Sequence, residues 1–152
     1  MISAMVAMAV LMATASTAAH SQERLVVIVN SDNPVNQLSR GDLEKIYLGK
    51  RGFWEWGKAI KTVDLIEPKT KEEDTSRAAF CADYLHKSLA ILKSYWVRAI
   101  FSGKGQPPLV FPGAGGVINY VGDNVEAIGY VPRRDLTPGK VKALVILEEP
   151  EQ

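Results

Sequence analysis

The amino-acid sequence predicts an α/β fold, a mixed sheet flanked by helices. Three observations predict it. The run "RLVVIVN", Arg24 to Asn30, consists of branched apolar residues and stops at "NSDNP", as a buried strand does. Strand-like and helix-like stretches then alternate to the end of the chain, which is the order of α/β layers. Apolar residues make up 47% of the 152 residues, enough for a proper hydrophobic core in one domain.

The elements follow in order. After the first strand, Ser39 stands three residues before Asp42 in capping-box spacing. Leu43, Ile46 and Tyr47 then form one apolar helical face, and Gly49 offers a left-handed stop. The glycines of "GKRGFWEWGK" mark a loop, and "AIKTVDLI", Ala59 to Ile66, reads as a second strand. Phe80, Cys81, Tyr84 and Leu85 recur at helical spacing and predict a helix from about Asp74 to His86. Ser88 caps another, whose apolar stripe is Leu89, Leu92, Trp96 and Ile100. "SGKGQPP" breaks that helix, because proline neither continues it nor donates to a ladder. "GAGGVINYVGDN" predicts a short helix entered through glycines, and "EAIGYVP" and "VKALVILEE" close the chain as two strands around "RRDLTPG".

The beginning of the chain reads differently. Met1 to Ala19 carries no charged side chain, and the apolar run Met5 to Met12 gives way to the small residues of "ATASTAAHS". That is the pattern of a secretory signal, residues 1–19, and the run is shorter than the roughly 20 residues of a spanning helix. The basic start usual in such signals is missing. The expected organisation is signal, one domain over 24–147 and a tail at 148–152, in a periplasmic or secreted location. With 18 Lys and Arg against 17 Asp and Glu, signs mixed along the chain, no basic stripe is present and no nucleic-acid partner is expected. The single cysteine, Cys81, permits no internal disulfide, so the domain must rely on its core.

Several stretches taken together resemble a known family. "VVIVNSDNPVNQLSRGDLEKIYLGK", the following Trp and Gly, the aromatic-rich helix ending in "IFSGKGQPP", and "EAIGYVP" are similar to the phosphate-type substrate-binding proteins of ABC transporters, of the type 2 periplasmic-binding-protein fold. The resemblance spans about Leu25 to Pro132 and is to the second of that family's two lobes, as in its single-lobe short forms. It implies one lobe of a periplasmic-binding-protein-like fold. It also implies an oxyanion ligand such as inorganic phosphate, held where a strand passes through an Arg, an acidic residue and a Ser-Gly-Thr turn into a helix.

In this sequence that place is taken by "EPKTKEEDTSRAAF", residues 67–80. The first amides of a helix lack partners and carry partial positive charge, so they can face an anion. Thr75 and Ser76 would supply hydroxyls, Arg77 and Lys71 charge, and Lys69 stands nearby. Against this, Glu67 stands near the expected Arg, the turn has no glycine, and Glu72, Glu73 and Asp74 crowd the mouth. Asp74 capping the helix is the plain structural reading of the same residues. "GFWEWG" offers Trp54 and Trp56 as a partner or ligand surface, or as core and loop packing. Gly115 and Gly116 allow close approach to the start of a second helix.

Enzymatic chemistry finds no support. His86 and Cys81 lie on different faces of one helix, Cys81 reads as a small buried apolar residue, and no spacing suggests a metal site or another cofactor. The expected function is therefore a non-enzymatic exported binding module with at most a weak anion site. The alternative is an envelope interaction or sensory module that has kept the fold, lost the ligand and docks a protein partner.

Overall fold

The computed structural model describes residues 25–66 and 75–149, with Thr75 described by its backbone alone. The expected signal at 1–19 lies outside the described residues. Seven strands and four helices follow one another: β1 (Leu25–Asn30), β2 (Gln37–Ser39), α1 (Arg40–Tyr47), β3 (Lys61–Ile66), α2 (Thr75–Leu85), α3 (Leu89–Phe101), β4 (Leu109–Pro112), α4 (Ala114–Asp123), β5 (Ala127–Pro132), β6 (Val141–Ala143) and β7 (Val145–Leu147), counted among the described residues. The main sheet is mixed and five-stranded, in the order β4-β3-β5-β1-β6. β3 runs parallel to β4 and β5, whereas β1 is antiparallel to β5 and β6. β2 and β7 form a separate parallel pair.

Every residue of β1 and of β5 is buried. A strand covered on both faces must be apolar throughout, which is why "LVVIVN" shows no alternation. Successive strand residues point to opposite faces, and β5 uses this to receive two different layers. At Gly129 the sheet meets α4: a Cβ there would lie 2.9 Å from Val117 Cγ1 and 3.3 Å from Val121 Cγ2. Glycine is required for that close approach. The next residue, Tyr130, points to the other face and stacks on Phe80 of α2. α1 packs against α2 on that side, and α3 packs against α2.

Local signals match the helix ends. Ser39 Oγ accepts from the Asp42 N–H at 3.0 Å, and Gly49, at φ 69°, closes α1. Ser88 Oγ accepts from the Ile91 N–H at 3.3 Å. Gly103, at φ 67°, ends α3, with the Lys104 N–H donating to Ala99 O at 3.0 Å. In "NSDNP", the Asn30 side-chain amide donates to Val121 O and Gly122 O at 3.0 and 2.9 Å and so closes the C-terminus of α4. Asn33 donates to Val125 O at 2.9 Å.

Three expectations need correction. β2 and β4 are strands that the pattern does not announce: both are short, and β4 follows directly on two prolines. "VKALVILEE" is two strands, because Leu144 turns inward, donates its N–H to Val27 O at 2.8 Å and lets the chain pass from β1 to β2. Ile100 does not join the core stripe of α3, where only Leu92 and Trp96 are buried. Just after β7, Glu148 pairs with Arg40.

Candidate anion-binding site

The C-terminal edge of β3 gathers the charged chemistry. Asp64 sits within the apolar pattern of β3 and is buried, on the same face as Tyr130. A carboxylate removed from water must find partners or become neutral. Asp64 finds three. The Tyr130 hydroxyl donates to Oδ1, the Leu65 N–H donates to the same oxygen at 3.1 Å, and Arg77 Nε lies 2.7 Å from Oδ2. That Nε makes no aligned hydrogen bond, so the contact acts chiefly as a charge pair.

Burial raises the Asp64 carboxyl above its ordinary 3.8, while the Tyr130 hydrogen bond, the Arg77 charge and the Leu65 N–H pull it down. Burial, and then the charge of Asp64, push the Tyr47 and Tyr130 hydroxyls well above 10.0. Both phenols therefore stay neutral donors, and Tyr47 donates to Val63 O at 2.9 Å.

Two helices start at this edge. α2 follows β3 and α4 follows β4, and the strands are parallel neighbours. The start of α4 is tied directly to β3, because the Gly113 N–H donates to Ile66 O at 2.9 Å. Gly113 is the N-cap at φ 80° and provides no side-chain cap to α4. The next amides, with Gly115 and Gly116, form a helix start of partial positive charge in the crevice position of an open α/β sheet.

Of the residues expected to bind an anion, Arg77 lies in the first turn of α2, and its guanidinium is balanced by Asp64. Anything an oxyanion takes from Arg77 must come from the Nη hydrogens. Ser76 is buried beneath the same turn. Asp74, Lys71, Lys69 and the acids Glu67, Glu72 and Glu73 lie outside the described residues, as does the Thr75 side chain. Asp64 and Tyr130 were not singled out from the sequence. The signal was present in "TVDLI", a lone carboxylate inside an apolar strand.

Trp54 is corrected as a surface residue. It is 2% exposed, and its Nε1 donates to Glu126 O at 2.9 Å, fixing the loop against the start of β5. Trp56 is half-buried and lines a cleft of about 600 Å³ together with Val35, Leu38, Asp42, Arg51 and Leu147. Arg51 pairs with Asp42 at 3.1 Å in that wall. Cys81 is buried, and no group of three or more His, Cys, Asp or Glu able to hold a metal occurs among the described residues.

No family model matches the chain, and no curated protein matches it. Solved structures do. An ABC-type phosphate transport receptor from Vibrio cholerae is 21% identical, with a TM-score of 0.60 over 80% of this chain and 45% of that one. A protein named as a phosphate ABC transporter substrate-binding protein from Clostridium perfringens, solved with bound phosphate, gives 21% identity and 0.60 over 80% and 44%. A protein from Planctomyces limnophilus, described in terms of phosphate binding, gives 14% and 0.54 over 82% and 41%. The chain thus spans less than half the length of these structures. Its fold is that of part of a phosphate-type substrate-binding protein.

Proposed function

We propose that this chain is an exported, non-enzymatic binding module that takes a phosphate-like oxyanion at the C-terminal edge of β3 and β4. The observation that carries the reading is the Gly113 N–H bond to Ile66 O. It supports placing the uncapped start of α4 beside the last residue of β3, with Arg77 held in place by Asp64. The amides of α4 would donate to the oxyanion, and Arg77 would add charge from a side chain already fixed by its partner. The likeness to a protein solved with bound phosphate supports the choice of ligand. Thr75, Lys71 and Asp74 remain part of the proposal as sequence-based candidates, and Ser76, whose side chain is buried, contributes through its backbone amide.

The described lobe offers one wall of a cleft, so the ligand stays wetted and each hydrogen bond adds little net free energy. The expected affinity is on the order of millimolar. Export rests on the Met1–Ala19 segment. Calorimetric titration with phosphate and sulfate tests the reading. Gly115→Asp is the decisive variant, since a Cβ there meets nothing within 4 Å and the added carboxylate repels the anion without disturbing the core. Absence of heat at millimolar phosphate, or unchanged heat in the variant, sinks the proposal.

A further inference from the structure

We propose that the outer face of α3 and the turn after it form a docking surface for an anionic lipid bilayer. From Tyr84 to Gly122 the chain contains no Asp or Glu, while Lys87, Lys93, Arg98 and Lys104 fall in that span. Lys87 is used by Glu44 within the fold. The side chains of Lys93, Arg98 and Lys104 are on exposed residues and make no ion pair among the described residues.

The exposed half of α3 is also apolar where a soluble helix is ordinarily polar, with Ile91 beside Arg98 on one flank and Ile100 beside Lys93 on the other. Ile91, Val97 and Ile100 are more than half exposed, and Phe101 is 89% exposed. Lys93, Val97, Ile100 and Phe101 stand at i, i+4, i+7 and i+8, so they share one side of the helix, with Ile100 at its border with buried Leu92 and Trp96 and Val97 and Phe101 farther out. The helix ends there, and every residue from Phe101 to Pro107 is exposed, which leaves Phe101 next to the exposed turn that carries Lys104. The exposed apolar stretch resumes in the edge strand with Leu109 and Val110.

This combination selects the occupant. A second copy would bring cations against cations. A protein hot spot needs a shaped complement around a central anchor, whereas here exposed apolar residues are spread along a helix face flanked by cations. A bilayer interface accepts exposed apolar side chains without a shaped complement and holds flanking Lys and Arg at its anionic headgroups. No helix among the described residues is long and apolar enough to cross a membrane, so the contact is one of lying on the surface.

The test uses the full chain and vesicles of phosphatidylcholine, alone or with phosphatidylglycerol, with binding read by co-sedimentation. Phosphatidylglycerol should strengthen binding. The pair Ile100→Ser and Phe101→Ser should weaken it by about tenfold. The triple change Lys93→Glu, Arg98→Glu and Lys104→Glu should cost at least about fivefold per charge and remove the gain from anionic lipid. All five residues are exposed, so circular dichroism should stay native. The apolar run Met5 to Met12 can bind bilayers by itself, and the difference between parent and variant therefore carries the result. Equal partitioning of the parent and both variants overturns the proposal. So does photocrosslinking from position 102 that captures protein but no lipid.

Discussion

Phe80 of α2 lies flat on Tyr130 of β5, with ring centroids 3.8 Å apart and planes 2° from parallel. Tyr130 in turn donates to Asp64, which holds Arg77. One aromatic contact thus couples the position of α2 to the charged edge of the sheet. Phe80→Ala should cost about 3–5 kcal/mol by leaving a cavity against Tyr130. Urea unfolding checks it, and a loss below about 1 kcal/mol would mean that the stack contributes little.

Asp64 gives an unusual pH dependence. Its carboxyl is raised in the folded state, so between 3.8 and that raised value the folded protein holds more proton than the unfolded chain. Stability from this group is therefore fully present at low pH and falls as pH rises through the window. The stability of the parent relative to Asp64→Asn should shrink over that interval and then level off. A series of urea titrations measures it, and a relative stability that grew with pH would show that Arg77 outweighs burial.

Gly129 is the place where β5 lets α4 approach. Gly129→Ala should destabilise by about 1–3 kcal/mol, since the new methyl meets Val117 and Val121 across a packed contact. Thermal unfolding reads the effect. Adding Val117→Ala in the same chain should recover part of it if the clash is the cause.

Asn30 serves the C-terminus of α4 as a donor to two carbonyls. Asn30→Asp turns that donor into a charge facing oxygen atoms and the negative end of a helix. A loss of about 2–3 kcal/mol is expected at neutral pH. Lowering the pH should return part of it, because a protonated carboxyl can donate once more. Stability of the variant that does not respond to pH would contradict this role.

The aromatic and apolar residues with strict spacing were legible from the start. Leu43, Ile46 and Tyr47 announced the face of α1, Ser39 and Ser88 their caps, and Gly49 its stop, because these depend on neighbours three or four residues away. Trp54 was not legible. Its partner, the Glu126 carbonyl, lies in a distant part of the chain, and an indole in a glycine-rich loop looks the same in sequence whether it turns in or out.

By itself the sequence determined the alternation of strands and helices, the covered strand β1 and the apolar face of α1. All of these follow from local periodicity and composition. Only the tertiary structure decided which groups meet at the edge of β3. Asp64, Arg77 and Tyr130 are brought together by strand pairing and by the packing of α2, and the end of β3 meets Gly113 through a single backbone bond. Such meetings depend on sheet order, which spans many residues of separation and leaves no period in the chain.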